Sequence, residues 1–217
     1  MIAFSHYDAA LLARALWMTV VLSVAGGLAG LAGGTALACL RMARGRLFAP
    51  LRFLAAGYVQ VVRRVPFIVT LYIVFFLTGM AGLDVSEVTV AIWAIGLIAA
   101  GYIAEIVHGG LRSVPADQIE AAVTLNLPLL ARWRHVIVPQ ALPVIVPPTV
   151  GYLVLFIKDT ALASQVGVLE LNQAGVILSN RGLPTMQVFL AVLGLYFALS
   201  YPLTRLSRML EKRLALS

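Results

Sequence analysis

The sequence predicts an all-α membrane protein with five transmembrane helices, and three observations lead to that fold class. Of the 217 residues, 61% are hydrophobic and 12% are charged, whereas soluble domains are about 45–50% apolar and about 25% charged. The chain contains five apolar segments, each near the roughly 20 residues that a helix needs to cross a bilayer. Positive charges gather in alternate connections between those segments. The length fits a single domain over residues 1–217.

The five predicted spans are helices because an open strand would leave backbone groups unpaired in lipid. The first apolar segment is too long for a signal-peptide core and lacks a convincing cleavage site, so we expect it to be retained. The single cysteine, Cys39, lies inside it and indicates no disulfide. The spans cover about Leu16–Leu40, Leu51–Leu83, Val88–Val107, Val136–Ile157 and Met186–Leu206.

The distribution of cations predicts the orientation of the chain. The connections after spans one and three, together with the C-terminal tail, carry most of them, while the other side has few cations and two acids, Asp84 and Glu87. Because cytoplasmic connections retain Lys and Arg, we expect the N-terminus outside and the C-terminus in the cytoplasm. The net charge of +7 is scattered among hydrophobic runs, so we predict no nucleic-acid partner. The cytoplasmic cations are Arg41, Arg44, Arg46, Arg52, Arg112, Arg132, Arg134, Arg205, Arg208, Lys212 and Arg213.

Two spans have unusual compositions. Gly26, Gly30 and Gly34 recur at four-residue spacing in span one, which permits close helix packing either within the chain or between subunits. Prolines fill the first half of span four and predict a kinked or broken helix. Such an interruption is compatible with a solute pathway or with a purely structural bend. The prolines are Pro139, Pro143, Pro147 and Pro148.

A short half-polar segment, QIEAAVTLNLP (Gln118–Pro128), joins spans three and four on the predicted cytoplasmic side. Pro115 suits the first helical position, and Asp117 and Glu120 favour the positive end of a helix. Asn126 stands where a helix often stops in a left-handed conformation. A helix this short is marginal alone in water. It is therefore either a surface helix resting on its own loops or a docking element for a partner.

The segment EAAVTLN (Glu120–Asn126), followed by IVPQALPVIVP (Ile137–Pro147), resembles the EAA loop of the membrane subunits of ATP-binding-cassette importers. That loop is usually written EAA, three residues, Gly, nine residues and an Ile-x-Leu-Pro segment. Here Asn126 occupies the glycine position and Val138 stands in place of Leu. Asn tolerates the same backbone geometry as Gly.

Three further blocks resemble the polar amino-acid uptake branch of these importers: Tyr58–Phe76, Ala100–Ala122 and Phe156–Leu171. Members usually have Arg-Gly-Thr-Pro where this chain has RRVP (residues 63–66). They often have Lys-Asp-Thr-Ser-Leu where it has KDTAL (residues 158–162). The resemblance covers most of the chain and implies the fold of a type I importer permease in a bacterial cytoplasmic membrane.

The resemblance also implies a mechanism and partners. Two permease subunits, either two copies or a sister pair, would each lay a coupling helix (about residues 115–126) on a cytoplasmic ATPase dimer. An extracytoplasmic binding protein would deliver a polar amino acid or similar small zwitterion. The chain lacks a G-x-x-x-x-G-K-[ST] sequence and has only two lysines. ATP and Mg²⁺ are therefore expected on the partner, with no cofactor or metal here. The coupling residues would be Pro115, Glu120, Ala121, Ala122, Leu125, Asn126 and Pro139.

Charged residues within the spans are candidates for solute or gate contact. Arg63 and Arg64 follow Arg52 by about eleven residues, roughly 17 Å of helix, which would place them near mid-membrane, beside Pro66. A guanidinium there could bind a carboxylate. Alternatively, the helix first follows the interface and the arginines reach lipid phosphates. We expect Glu105 to pair with an arginine of the second span rather than with solute.

At the outer end of span four, Lys158 and Asp159 could pair as a structural cap, or Asp159 could meet a solute ammonium. Thr160, Ser164 and Gln165 follow and could belong to the same site.

Two other functions fit parts of the sequence. A secondary transporter would explain the membrane arginines and a broken helix but not a cytoplasmic docking helix, and such proteins often carry internal repeats, which we do not find. A non-transporting membrane scaffold would explain the docking helix but not the charges and prolines in the spans. We find no nucleophile–base pair, so an enzyme is not predicted.

Overall fold

The computed structural model describes residues 5–43 and 45–214, and within them every regular element is a helix, as predicted. Arg44, one of the cations predicted to be cytoplasmic, lies outside the described residues. The α-helices in chain order are α1 (His6–Met42), α2 (Ala49–Val62), α3 (Phe67–Met80), α4 (Glu87–Arg112), α5 (Ala116–Thr124), α6 (Leu129–Arg132), α7 (Val138–Asp159), α8 (Leu171–Asn180) and α9 (Thr185–Leu214).

Four helical segments are long and apolar enough to cross a membrane: α1, α4, the continuous segment Leu129–Val166, and α9. Among the described residues, a fifth span arises if α2 and α3 together count as one, although the chain bends by 116° between them. The second span is therefore not the straight helix on which the mid-membrane position of Arg63 and Arg64 depended. Pro66 directly precedes α3, and its ring disfavours helical geometry in the residue before it.

The predicted glycine repeat of α1 packs within the chain, against α4. A Cβ on Gly34 would lie 2.7 Å from the Cβ of Ile103, and Gly26 and Gly30 stand equally close to Ile95 and Ala99. The four-residue repeat of glycines thus faces a four-residue repeat on α4. The two backbones approach closely because no side chain separates them, which decides between the two alternatives left open by the sequence.

The proline-rich fourth span is unbroken. A π turn, Trp133–Ile137, joins α6 to α7 just before Pro139, and α7 continues through the three later prolines to a 3₁₀ segment, Thr160–Val166. A π turn widens the helix locally and is a frequent irregularity at functional sites. Of the predicted kink or break, the break is wrong, because Leu129–Val166 is one helical segment, and the irregularity seen is a change of helical pitch.

Two hydrophobic cores hold the helices together. The larger core has α4 at its centre and takes residues from α1, α3, α7 and the 3₁₀ segment. The smaller one joins the first turns of α1 to α8 and α9. The helix α8 is too short to span a membrane. It packs between α1 and α9 at that end of the molecule.

Candidate functional site

The predicted docking helix is α5, Ala116–Thr124, and its C-terminus ends as the sequence predicts. Asn126 has φ 55°, the one non-glycine residue with positive φ among those described. The Leu127 N–H donates to the Ala122 carbonyl at 3.1 Å and the Asn126 N–H to the Val123 carbonyl at 2.9 Å, a Schellman motif. Pro115 differs from prediction: it directly precedes the helix, in extended conformation, rather than occupying its first position.

One face of α5 rests on the chain and the other is free. Glu120, Ala121 and Leu125 are exposed, Leu125 to 73%, whereas Ala122 is only 3% exposed. Ala122 was predicted to contact a partner, and it instead faces the protein together with half-buried Ile119. The three-residue spacing of these two apolar residues was the available sequence signal.

The inner face of α5 contacts α6 and the π turn at the base of α7. Ile119, Trp133 and Ile137 pack against the same core. Pro139 is exposed in the first turn of α7. The inner face of α5 is therefore in direct contact with the start of the fourth span.

A charge cluster joins three helices near the Arg112 end of α4. A Glu105 oxygen lies 2.8 Å from Arg41 Nη1 and 3.5 Å from Arg63 Nη1. The pairing of Glu105 with an arginine of the second span is confirmed for Arg63. The closer partner, Arg41 on α1, was missed because nothing in the local sequence relates residues 64 apart.

Arg63 and Arg64 directly follow α2, at the bend that leads into α3. Both side chains are exposed. Arg64 donates to the side chain and carbonyl of Gln60 in α2.

An aromatic stack continues from Arg63 into the protein. The Arg63 guanidinium carbon lies 5.6 Å from the centre of the Tyr102 ring, a cation–π distance. Tyr102 stacks on Tyr152 with ring centres 4.2 Å apart, and Tyr152 meets Phe156 edge-on at 5.2 Å. Asp159 follows Tyr152 by seven residues and so lies on the same face of α7.

Lys158 projects elsewhere, into a cavity of about 840 Å³ along α9. Ala161 and Asn172 form one wall with it, and Tyr196 and Ser200 lie on the α9 side. Among the described residues no ion pair joins Lys158 to Asp159, so the predicted cap is not formed. The candidate solute residues therefore separate into an Arg63–Glu105 group and a Lys158 group on opposite sides of α7.

A buried acid behind this cavity was missed by the sequence reasoning. Glu170 is fully buried and accepts hydrogen bonds from the N–H groups of Asn172 at 2.9 Å and Gln173 at 2.8 Å and from the Tyr196 hydroxyl at 2.5 Å. Burial raises the pKa of this carboxyl, and the three donors act against that shift. The available sequence signal for Glu170 was its position: it directly precedes a helix, where capping residues ordinarily lie.

The remaining candidate residues, Thr160, Ser164 and Gln165, lie in the segment that precedes Glu170. Ser164, which is buried, accepts a hydrogen bond from the Asn172 side chain at 3.2 Å. Thr160 is also buried and donates to the Ile157 carbonyl at 2.8 Å. Gln165 is exposed. Within the described part of the chain, no three metal-binding side chains come together.

These features, an exposed α5 stacked on an irregular proline-rich span, are accompanied by a decisive sequence match. Residues 30–216 match the family described as the inner membrane component of binding-protein-dependent transport systems. The chain belongs to this family. It is the permease subunit of an ABC importer and a multi-pass membrane protein. It is a transport subunit rather than an enzyme, because the ATPase of such importers is a separate partner.

Relatives cover nearly the whole permease. The chain is 31% identical over 202 residues to the probable amino-acid ABC transporter permease YckA of Bacillus subtilis, covering 93% of this chain and 88% of that one. It is 29% identical over 205 residues to the L-cystine permease TcyB of the same organism, covering 94% and 86%. A solved amino acid ABC transporter with histidines shares the fold, with TM-score 0.86, 23% identity, and coverage of 98% and 100%.

Proposed function

We propose that this permease moves amino acids, or similar small zwitterionic solutes, into the cell across a bacterial cytoplasmic membrane. A cytoplasmic ATPase dimer binds α5, and an extracytoplasmic solute-binding protein delivers the solute. A second permease, a copy or a sister chain, completes the pathway. ATP and Mg²⁺ bind to the ATPase. Two relatives of the chain, a probable amino-acid permease and an L-cystine permease, support the solute class.

The observation that carries the proposal is the packing of α5. Its outer face presents Glu120, Ala121 and Leu125, while its inner face rests on the π turn that leads into α7. A partner that moves α5 therefore moves a span. Arg112, Arg132 and Arg134 surround α5 in sequence, and by the positive-inside rule they support a cytoplasmic position for this end and an N-terminus outside.

The proposed cycle follows from this arrangement. Closing of the ATPase dimer on ATP draws the two coupling helices together and opens the pathway outward. The binding protein then releases its solute beside Lys158 and Asn172, which line the cavity along α9. Hydrolysis restores the inward-facing form. On this proposal the Arg63–Glu105 cluster stabilises the bend between α2 and α3, and Asp159 stays outside the cavity.

Co-purification and uptake test the proposal together. The tagged permease is expected to retain its ATPase, and Glu120→Lys to release it, because Glu120 is exposed on the free face of α5. Glu211→Lys is the matched control, since Glu211 is equally exposed at the far end of α9. Uptake of labelled amino acids into proteoliposomes should require ATP, the ATPase and the binding protein.

Two outcomes would contradict the proposal. Uptake that persists after complete removal of the ATPase would identify a secondary transporter. A complex that retains the ATPase but moves none of the amino acids would identify a scaffold or a transporter of another solute class.

A further inference from the structure

We infer that the cavity along α9 selects solutes that carry a carboxylate and no net positive charge. The inference rests on the proposed function and names the charge class of its substrate. The described residues that line the cavity include three cations, Lys158, Arg205 and Arg208, and no acidic residue. The volume of about 840 Å³ falls within the about 300–1,000 Å³ of small-molecule sites.

The cations stand at opposite ends of the cavity. Lys158 lies with Asn172 and Tyr196 at one end, and Arg205 follows Tyr196 by nine residues along α9, about 13 Å of helix. Arg205 is held in place, because its Nε donates to the Tyr201 hydroxyl at 2.9 Å and its guanidinium lies over that ring. A solute that enters at the Lys158 end and leaves at the Arg205 end meets a positive charge at each step.

The nearest acids do not line this space. Asp159 lies on the Tyr152 face of α7, within electrostatic range of Lys158. Glu170 is fully buried, with both oxygens engaged by N–H and O–H donors. Glu211 lines an adjoining depression, which shares Arg205 and Arg208 with the cavity, so the Lys158 end is the part without an acid in its lining. A solute ammonium thus has only neutral acceptors, such as Asn172, Ser200 and Thr204, whereas a solute carboxylate has cations.

Lys158 is the cation suited to hold the solute. It is exposed in the cavity and forms no ion pair with the described residues. Much of the surrounding cavity lining is apolar, including Val192, Leu193 and Phe197, and a charge interacts more strongly with a counter-ion beside apolar groups than in open water. An added positive charge, as on arginine or lysine, would be repelled, and an added negative charge, as on glutamate, would be attracted.

The two lysines of the chain provide a direct measurement. The intact complex of permease and ATPase in nanodiscs is treated with an amine-acylating reagent, and the peptides containing Lys158 and Lys212 are quantified by mass spectrometry. Glutamate and glutamine should slow acylation of Lys158, by about tenfold at about ten times the dissociation constant. Arginine should give no protection over the same concentrations. The amines of the added amino acids also consume the reagent and slow both lysines alike, so protection is measured as the ratio of Lys158 to Lys212 acylation.

Charge reversal gives an independent measurement. In proteoliposomes containing the complete transporter, Lys158→Glu should reduce glutamate uptake at least tenfold and increase the ratio of arginine to glutamate uptake. Lys212→Glu, the matched control, should leave that ratio unchanged. Lys158→Gln, which adds no charge, should fall between them, and thermal unfolding in detergent verifies that each variant is folded.

Each result decides between the claims. Equal protection by arginine and glutamate, or wild-type uptake that favours cationic amino acids, would overturn this inference while leaving the proposed function intact. Acylation of Lys158 that no transported amino acid slows would also overturn it. The absence of ATP-driven uptake of any amino acid would instead contradict the proposed function itself.

Discussion

The helices α4 and α9 have similar length and apolar character but opposite surroundings. In their most apolar stretches, 67% of α4 is buried inside the chain, compared with 11% of α9. The difference follows from side-chain size. Small residues such as Gly96, Ala99 and Ala104 let α1 approach α4 closely, whereas α9 exposes Leu193 and Phe197. Hydropathy alone therefore identifies both as spans, and only the pattern of small residues identifies the helix at the centre.

The contact of α4 with α1 should be the most sensitive to substitution. Gly30→Leu forces a side chain into the Ala99 backbone and should destabilise the protein by about 3 kcal/mol or more, the upper part of the overpacking range. Gly194→Leu on α9 is the matched control, because a Cβ there meets no described heavy atom within 4 Å. Thermal unfolding in detergent compares the two. Equal losses would show that α9 is as closely packed as α4.

Removing the hydrogen bonds of Glu170, which join α8 to α9, should have the second-largest effect on stability. Glu170→Ala leaves two N–H groups and the Tyr196 hydroxyl without their acceptor and should cost about 2–3 kcal/mol, since unsatisfied buried donors are expensive. Tyr196→Phe removes only one of the three bonds and should cost less. If Glu170→Ala unfolds at the wild-type temperature, these hydrogen bonds do not stabilise α9.

The charge cluster distinguishes a buried from an exposed partner of the same carboxylate. Arg41, with 13% of its side chain exposed, lies closer to Glu105 than Arg63, with 36% exposed. Arg41→Gln should therefore cost about 1.5 kcal/mol, as for a hydrogen bond to a charged group, and Arg63→Gln about 0–1 kcal/mol. Unfolding midpoints at low and high salt measure both. A larger loss for Arg63→Gln would reverse their assigned roles.

Substitutions at the end of α5 should give a smaller change than the loss of Arg41. In Asn126→Ala the turn still requires a positive φ, and Ala lacks the local hydrogen bonding of Asn. The substitution should lower the free energy of unfolding by about 1 kcal/mol. Asn126→Gly restores the glycine of the family pattern and should be neutral or slightly stabilising. Unfolding and ATPase retention of both variants give the comparison. Identical behaviour of Ala and Gly would show that the left-handed turn contributes nothing.

The sequence predicted those features that depend on neighbouring residues. The helix at residues 116–124 and the left-handed stop at Asn126 follow from local backbone preference, and the spans follow from runs of apolar residues. The Arg41–Glu105 pair depends on how two distant helices pack, which no local pattern encodes. The inward face of Ala122 was missed because an EAA motif suggests a partner, whereas helical periodicity groups Ala122 with Ile119. Glu170 was missed because the sequence does not show that this capping acid is buried and hydrogen-bonded to both α8 and α9.

The prolines of α7 have a mechanical consequence. Pro143, Pro147 and Pro148 lie inside the helix, and each removes a backbone donor from it. The Pro147 carbonyl accepts a hydrogen bond from Ser207 on α9 at 3.1 Å. A helix bends more easily where its backbone hydrogen bonds are missing. Bending of α7 is therefore expected to concentrate at these prolines, in the half of the helix that begins beside α5.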